Sequence, residues 1–230
     1  MANKKPKNPE FTSPRGIFRY PKLNEPDYGT DKFPKPDGEY SVRLILTEAE
    51  AEPLIEKLQP LLDAAVAEGK EKFKELPVAT RKKLKEITIN DLCQVEYDPE
   101  TEEATGNVIF KFAMKATGVT KDKKAWSRKP VLFDAKGKKL TKPEPIWGGT
   151  EGKVSFEVRS YFIAGTGAVG LKLGLNAAQV IDLVSGGGRD AEGYGFGEED
   201  GYEAGDNEDA DDNGTFQDET KSDSSETPDF

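Results

Sequence analysis

Residues 154–162, Val-Ser-Phe-Glu-Val-Arg-Ser-Tyr-Phe, alternate apolar and polar side chains along most of their length. A period of two is the mark of a half-buried β-strand, because successive side chains leave opposite faces of the pleat. Val154, Phe156, Val158 and Phe162 should therefore enter a core, leaving Ser155, Glu157, Arg159 and Tyr161 outside. The rhythm recurs on both sides of this segment. Downstream, Leu171, Leu173 and Leu175 point one way and Lys172 the other, and residues 177–184 predict a last strand. Upstream, Val108, Phe110, Phe112 and Met114 oppose Ile109, Lys111, Ala113 and Lys115. In residues 39–46, Tyr40, Val42, Leu44 and Leu46 oppose Ser41, Arg43 and Ile45. A short strand at 131–134 leads into a turn at Ala135-Lys136-Gly137. Between Phe11 and Pro36, prolines and glycines interrupt the chain, and only Ile17-Phe18-Arg19-Tyr20 reads as β.

One stretch has the other period. Leu54, Ile55, Leu58, Leu61, Leu62, Ala65 and Val66 recur at helical spacing and predict a core-facing helix over 50–75. Pro53 suits a first turn, whereas Pro60 should kink or split the helix. The basic Arg81-Lys82-Lys83-Leu84-Lys85 follows as a loop or helix end. Four or five strands with one inserted helix indicate an α+β or small-barrel domain.

Composition divides the chain. Residues 190–230 hold 16 Asp or Glu against Lys221 alone, a net charge of −15, while residues 1–189 hold 32 Lys or Arg against 27 acids, a net of +5. From Gly186-Gly187-Gly188 onward the chain is Gly, Asp, Glu, Asn and Ser with isolated aromatics, too poor in apolar area to offset its ordering entropy. The reading is a flexible arm at 1–10, one domain at 11–185 and a disordered acidic tail at 186–230. With no His and one cysteine, Cys93, zinc sites built from those ligands and His-based triads are excluded. No cofactor is expected. A lone cysteine suits a reducing cytoplasm, and no run of 18 apolar residues offers a membrane span.

Basic body and acidic tail together point to nucleic-acid contact by the body and regulation or partner contact by the tail. Arg43, Lys111, Lys115, Arg159 and Lys172 all fall on non-core sides of strands, and Tyr161 joins them. Cations for phosphates and flat rings for bases are what sequence-independent binding of single strands requires. In the loop 121–129, Trp126 lies among Lys121, Lys123, Lys124, Arg128 and Lys129; it is either a stacking platform or a plug on the core. Trp147 has the same two readings. The string Gly165-Thr166-Gly167-Ala168-Val169-Gly170 fits the dinucleotide-binding pattern, but no helix follows it, so a hairpin loop competes with phosphate binding. The terminal Asp229-Phe230 combines a ring, an α-carboxylate and flanking acids, suited either to a partner pocket with a basic rim or to plain solubility. Two other classes compete: an interaction or chaperone module whose acidic tail binds basic partners, and a Mg²⁺ nuclease using Asp91, Asp98 and Glu100.

Several islands resemble the single-stranded DNA-binding proteins of short-tailed bacteriophages. They are FTSP at 11–14, PDYG at 26–29, GEYSVRLIL at 38–46, PIWGGTEGKVSFEV at 145–158, the Tyr161–Gly170 stretch, LKLGL at 171–175 and the tail closing in Asp229-Phe230. The resemblance implies a mainly β fold, a five-stranded OB-fold barrel with an inserted helix. It implies ssDNA binding in replication, recombination and repair, without catalysis, in the cytoplasm of the infected bacterium. It also implies strand annealing, homodimers in which the tails take part, and a tail whose final phenylalanine docks on the viral DNA polymerase and helicase–primase. Tyr161 matches a family position where an aromatic lies near DNA. Asp37 departs from the pattern, standing where a relative carries a basic DNA-contacting residue, and Arg43 is expected to take over that role.

Overall fold

The computed structural model describes residues 7–185. The alternation at 39–46 is the end of a longer strand, and five long strands carry the fold: β1 (Gly16–Thr30), β2 (Phe33–Thr47), β3 (Ala104–Lys115), β4 (Glu151–Ile163) and β5 (Ala168–Asp182). β1 pairs antiparallel with β2, and β2 with β3. β3 runs parallel to β5 through Phe112↔Leu173 and Ala113↔Gly174, and β5 turns back antiparallel along β4. A short seam, Glu151↔Ile17 and Gly152↔Gly16, joins β4 to β1. The order 1-2-3-5-4-1 closes a five-stranded Greek-key barrel of the OB type. Glycine is needed at the seam: a Cβ on Gly152 would lie 2.4 Å from the Phe18 ring, and one on Gly16 would lie 2.5 Å from the Ile45 carbonyl oxygen.

The inward residues read from the alternation form the core, except Phe162, which is half-buried at the end of β4 where the strand runs out past the barrel. Val42, Leu44, Phe110, Phe112, Val154 and Phe156 are fully buried, with the Phe112 and Phe156 rings 4.8 Å apart. Four short strands extend the sheet: Glu10–Thr12 on β4, Gln94–Tyr97 on β3, and Thr88–Ile89 and Val131–Phe133, both parallel to β5. A separate ladder joins Thr117–Val119 to Ala125–Ser127.

Helix α1 (Glu48–Lys74) closes one end of the barrel. It opens with a capping box, the Glu50 amide donating to Thr47 Oγ1 at 3.3 Å and the Thr47 amide to Glu50 Oε2 at 3.0 Å. Ala51, Leu54, Leu58, Leu62, Ala65 and Gly69 form its buried stripe, which packs on β2, β3, β4 and β5. Pro60 does not split it. Both prolines lie on the exposed side, where water can satisfy the carbonyls left without an amide partner. The basic segment at 81–85 overlaps a second helix, α2 (Val78–Leu84), which buries no residue.

Three expectations change. The proline-broken region is a full strand, β1, with register shifts at Arg19/Lys22 and Lys22/Asp27 that accommodate Pro21 and Pro26. The separate strands at 171–175 and 177–184 are one strand, β5. Leu175 pairs with Phe156 and Ala177 with Ser155, so Asn176 bulges and the inward face switches from Leu173 and Leu175 to Ala178 and Val180. Residues 7–10 of the expected arm are attached to the barrel, with Asn8 Nδ2 donating to Glu157 Oε2 at 2.9 Å and the Val158 amide to the Pro9 carbonyl at 2.9 Å. The acidic tail, including Asp229 and Phe230, lies outside the described residues.

Candidate nucleic-acid interface

Strand register places the outward cations in one row. Arg43 on β2 pairs directly with Lys111 on β3. One residue before the parallel pair Phe112↔Leu173, Lys111 and Lys172 stand alongside each other. Lys172 in turn faces Arg159 across β5 and β4. All four leave the barrel because their flanking neighbours, such as Val42, Phe112, Leu173 and Val158, are buried. With strands about 4.8 Å apart, the row spans roughly 15 Å of the outer face.

Arg43, Lys111 and Lys172 have no ion-pair partner among the described residues. Arg159 is held by Glu157, and Arg19, which faces Arg43 from β1, by Glu96. Three consecutive cations are thus left for an external anion. Lys115 stands apart from the row, tied to Asp37 at 2.6 Å. The acid at the departing turn position thereby neutralises the nearest cation.

Tyr161 completes the cluster. Two residues beyond Arg159 on the same face, it lies across from Gly170, where any Cβ would come 2.7 Å from its hydroxyl. Asn90 Nδ2 donates to that hydroxyl at 2.5 Å, fixing the ring. Tyr161, Arg43, Lys111 and Lys172 all line one groove of about 540 Å³. Its carboxylates are Asp91 and Glu39, and Glu39 is bound by Lys35 at 2.8 Å.

Trp126 is half-buried on the small ladder, its ring covering Gly118, and the Arg128 guanidinium sits 4.9 Å from the ring centroid. Arg128 Nε donates to the Lys115 carbonyl at 2.9 Å. Burial, followed by the like charge of Arg159, lowers the Arg128 pKa, while Glu157 opposes the shift. Trp147 is 54% exposed, which settles it outside the core. The glycine string at 165–170 forms the β4–β5 hairpin, with the Gly167 amide donating to the Ile163 carbonyl at 2.8 Å. Asp98, one of the candidate nuclease carboxylates, accepts the Glu100 and Thr101 amides and so shapes a turn.

The sequence reading missed Tyr20. An exact period of two puts it on the inner side with Phe18, but the β1 bulge turns it out to 71% exposure, where Arg43 Cζ lies 5.7 Å from its ring centroid. The following Pro21 was the available signal, since proline inside a strand marks a bulge.

Residues 9–183 match the family model described as the single-stranded DNA-binding protein of bacteriophage T7. The chain belongs to this family. Among curated relatives, the single-stranded DNA-binding protein of Enterobacteria phage T3 is 28% identical over 229 residues, covering 95% of this chain and 94% of its own. The protein of the same description from Escherichia phage T7 is 28% identical over 203 residues, 84% of each chain. The crystal structure of gp2.5, the single-stranded DNA-binding protein encoded by bacteriophage T7, superposes with a TM-score of 0.62 at 24% identity, over 86% of this chain and all of that one. The T7-type barrel is thus the fold of this chain. Its relatives are named for binding DNA, not for catalysing a reaction.

Proposed function

We propose that this chain binds single-stranded DNA without base preference, holding phosphates on Arg43, Lys111 and Lys172, with Arg159, partly masked by Glu157, adding to them, and stacking a base on Tyr161. The supporting observation is the row of cations beside a ring fixed at its hydroxyl. Phosphates need charge that is not already neutralised, and three adjacent cations supply it. A preset ring stacks on any base without first having to be ordered. Arg128 adds a cation, with Trp126 as the support on which its guanidinium rests; Lys115, committed to Asp37, contributes less. The binding domain is residues 11–185. As a phage protein it acts in the cytoplasm of the infected cell, serving replication, recombination and repair. The tail at 186–230 recruits the viral DNA polymerase and helicase–primase, docking through Asp229 and Phe230, and takes part in a homodimer.

Polarisation of labelled oligo-dT across a salt series tests the binding reading. Each phosphate neutralised on a single strand adds about 0.7 to the log–log salt slope. Replacing Lys111 and Lys172 together with Gln should therefore flatten the slope by roughly 1.4. Tyr161→Ala should weaken binding by roughly 1–3 kcal/mol while leaving the slope in place. No binding at low salt, or a slope indifferent to the two lysines, would remove the proposal.

A further inference from the structure

The row of cations has a neighbour that the reading above does not use. Beyond Arg43, toward β1, stands Tyr20, and Tyr20 is also a wall of a second groove of about 780 Å³. Trp147 lines the same groove, with Leu23 and Ile146 buried beneath and Lys22 and Lys129 in the lining. Neither lysine has an ion-pair partner among the described residues, and the one carboxylate in the lining is Glu25. The composition repeats that of the first groove: flat rings, unpaired cations and little opposing charge.

The groove is built rather than incidental. Asn24 Nδ2 donates to the carbonyls of Pro143 and Glu144 at 3.1 and 2.9 Å, and its Oδ1 accepts the Ile146 amide at 3.0 Å. The Trp147 amide donates to the Val184 carbonyl at 3.0 Å, which fixes the backbone under the indole. Tyr20 has φ of +48°, a conformation that a bulky residue rarely adopts, and it is spent on presenting a ring to solvent. Backbone strain of this kind concentrates where a ligand is held. Folding gains little from two large aromatics left mostly exposed on one groove, so a ligand is the better account of them.

We propose that Tyr20 and Trp147 form a second base-stacking subsite, reached by the same DNA strand after it passes Arg43, with Lys22 and Lys129 holding its phosphates. The inference rests on the proposed ssDNA binding and lengthens its footprint. An OB-type barrel covers about 4–16 nucleotides, so a short oligomer can fill one groove and leave the other empty.

The test uses the full chain with labelled oligo-dT of about 5 and about 15 nucleotides, lengths near the two ends of that range. Trp147→Ala should bind the long oligomer roughly tenfold more weakly, the lower part of what one stacked base contributes, and the short one as the unaltered protein does. Tyr20→Ala, which also removes the ring beside Arg43, should lose more on the long oligomer than on the short. Lys22→Gln combined with Lys129→Gln should flatten the salt slope for the long oligomer only. In Trp126→Phe, Trp147 is the remaining tryptophan. Its emission should be quenched by the long oligomer and little changed by the short. Equal affinities of parent and variants for the long oligomer, or equal losses at both lengths, would overturn the second subsite. So would emission that follows protein concentration instead of DNA, which would mark a protein-docking surface. Tyr161→Ala should lose affinity at both lengths. If the unaltered protein binds neither oligomer, it is the DNA-binding reading that falls.

Discussion

Glu157 shows how one carboxylate sets the charge of the interface. It holds Arg159 on one side and receives Asn8 on the other. Burial pushes its pKa up, but the hydrogen bonds from Asn8 and Arg159, with attraction from both nearby guanidiniums, outweigh that and leave it below the usual carboxylate value. A carboxyl whose folded pKa is depressed adds stability at pH above its unfolded value and loses it as pH falls through the folded one. Glu157 is therefore charged at neutral pH and masks Arg159 there. Glu157→Gln should free that arginine, tightening oligo-dT binding several-fold at neutral pH and steepening the salt slope by up to about 0.7. Weaker binding in the same titration would mean that Glu157 aims Arg159 instead of masking it. The outward placement of Arg43, Lys111, Lys172, Arg159 and Tyr161 was legible from alternation alone. That they form a row was not, because it depends on a parallel pairing between β3 and β5, which lie far apart in sequence.

At the scale of the element, α1 meets β5 where Gly69 approaches Val169. A Cβ on Gly69 would come 2.2 Å from Val169 Cγ2. Helix propensity alone favours Gly69→Ala by about 1 kcal/mol, whereas overpacking a tight contact costs about 1–3 kcal/mol. The contact is with a fully buried valine, so packing should win and the urea midpoint should fall. A raised midpoint would show that the helix end yields easily. The helix was readable because its stripe keeps one period through both prolines. The length of β1 and the continuity of β5 were not, because the bulges near Tyr20 and at Asn176 reverse the face on which alternation continues. Counting residues cannot foresee such a slip. The same slip hid Tyr20.

For the molecule as a whole, a tail of net −14 at 186–230 accompanies a body of net +4 at 1–185. A polyanion of that size would compete with DNA for cations it reached, and salt would screen the competition. Removing residues 186–230 should tighten oligo-dT binding at low salt, with the gain shrinking as salt rises; unchanged affinity at low salt would rule the competition out. Deleting Phe230 alone should leave DNA binding as it is and abolish co-precipitation of the viral polymerase, and equal recovery with both forms would end the docking idea. The barrel itself carries one further consequence. Its hoop of strands is fastened between β4 and β1 by two residue pairs and by the Phe18–Thr150 and Gly149–Phe18 backbone hydrogen bonds, with little support from α1 on the β1 side. The equally short β3–β5 pairing is backed by α1 on both strands. Opening should begin at that clasp. The row from Arg43 to Arg159 runs the other way round, through β3 and β5, and never crosses it. The barrel can loosen its fastening while the row of cations stays whole, whereas Tyr20 and Trp147, which flank the clasp, would part with it.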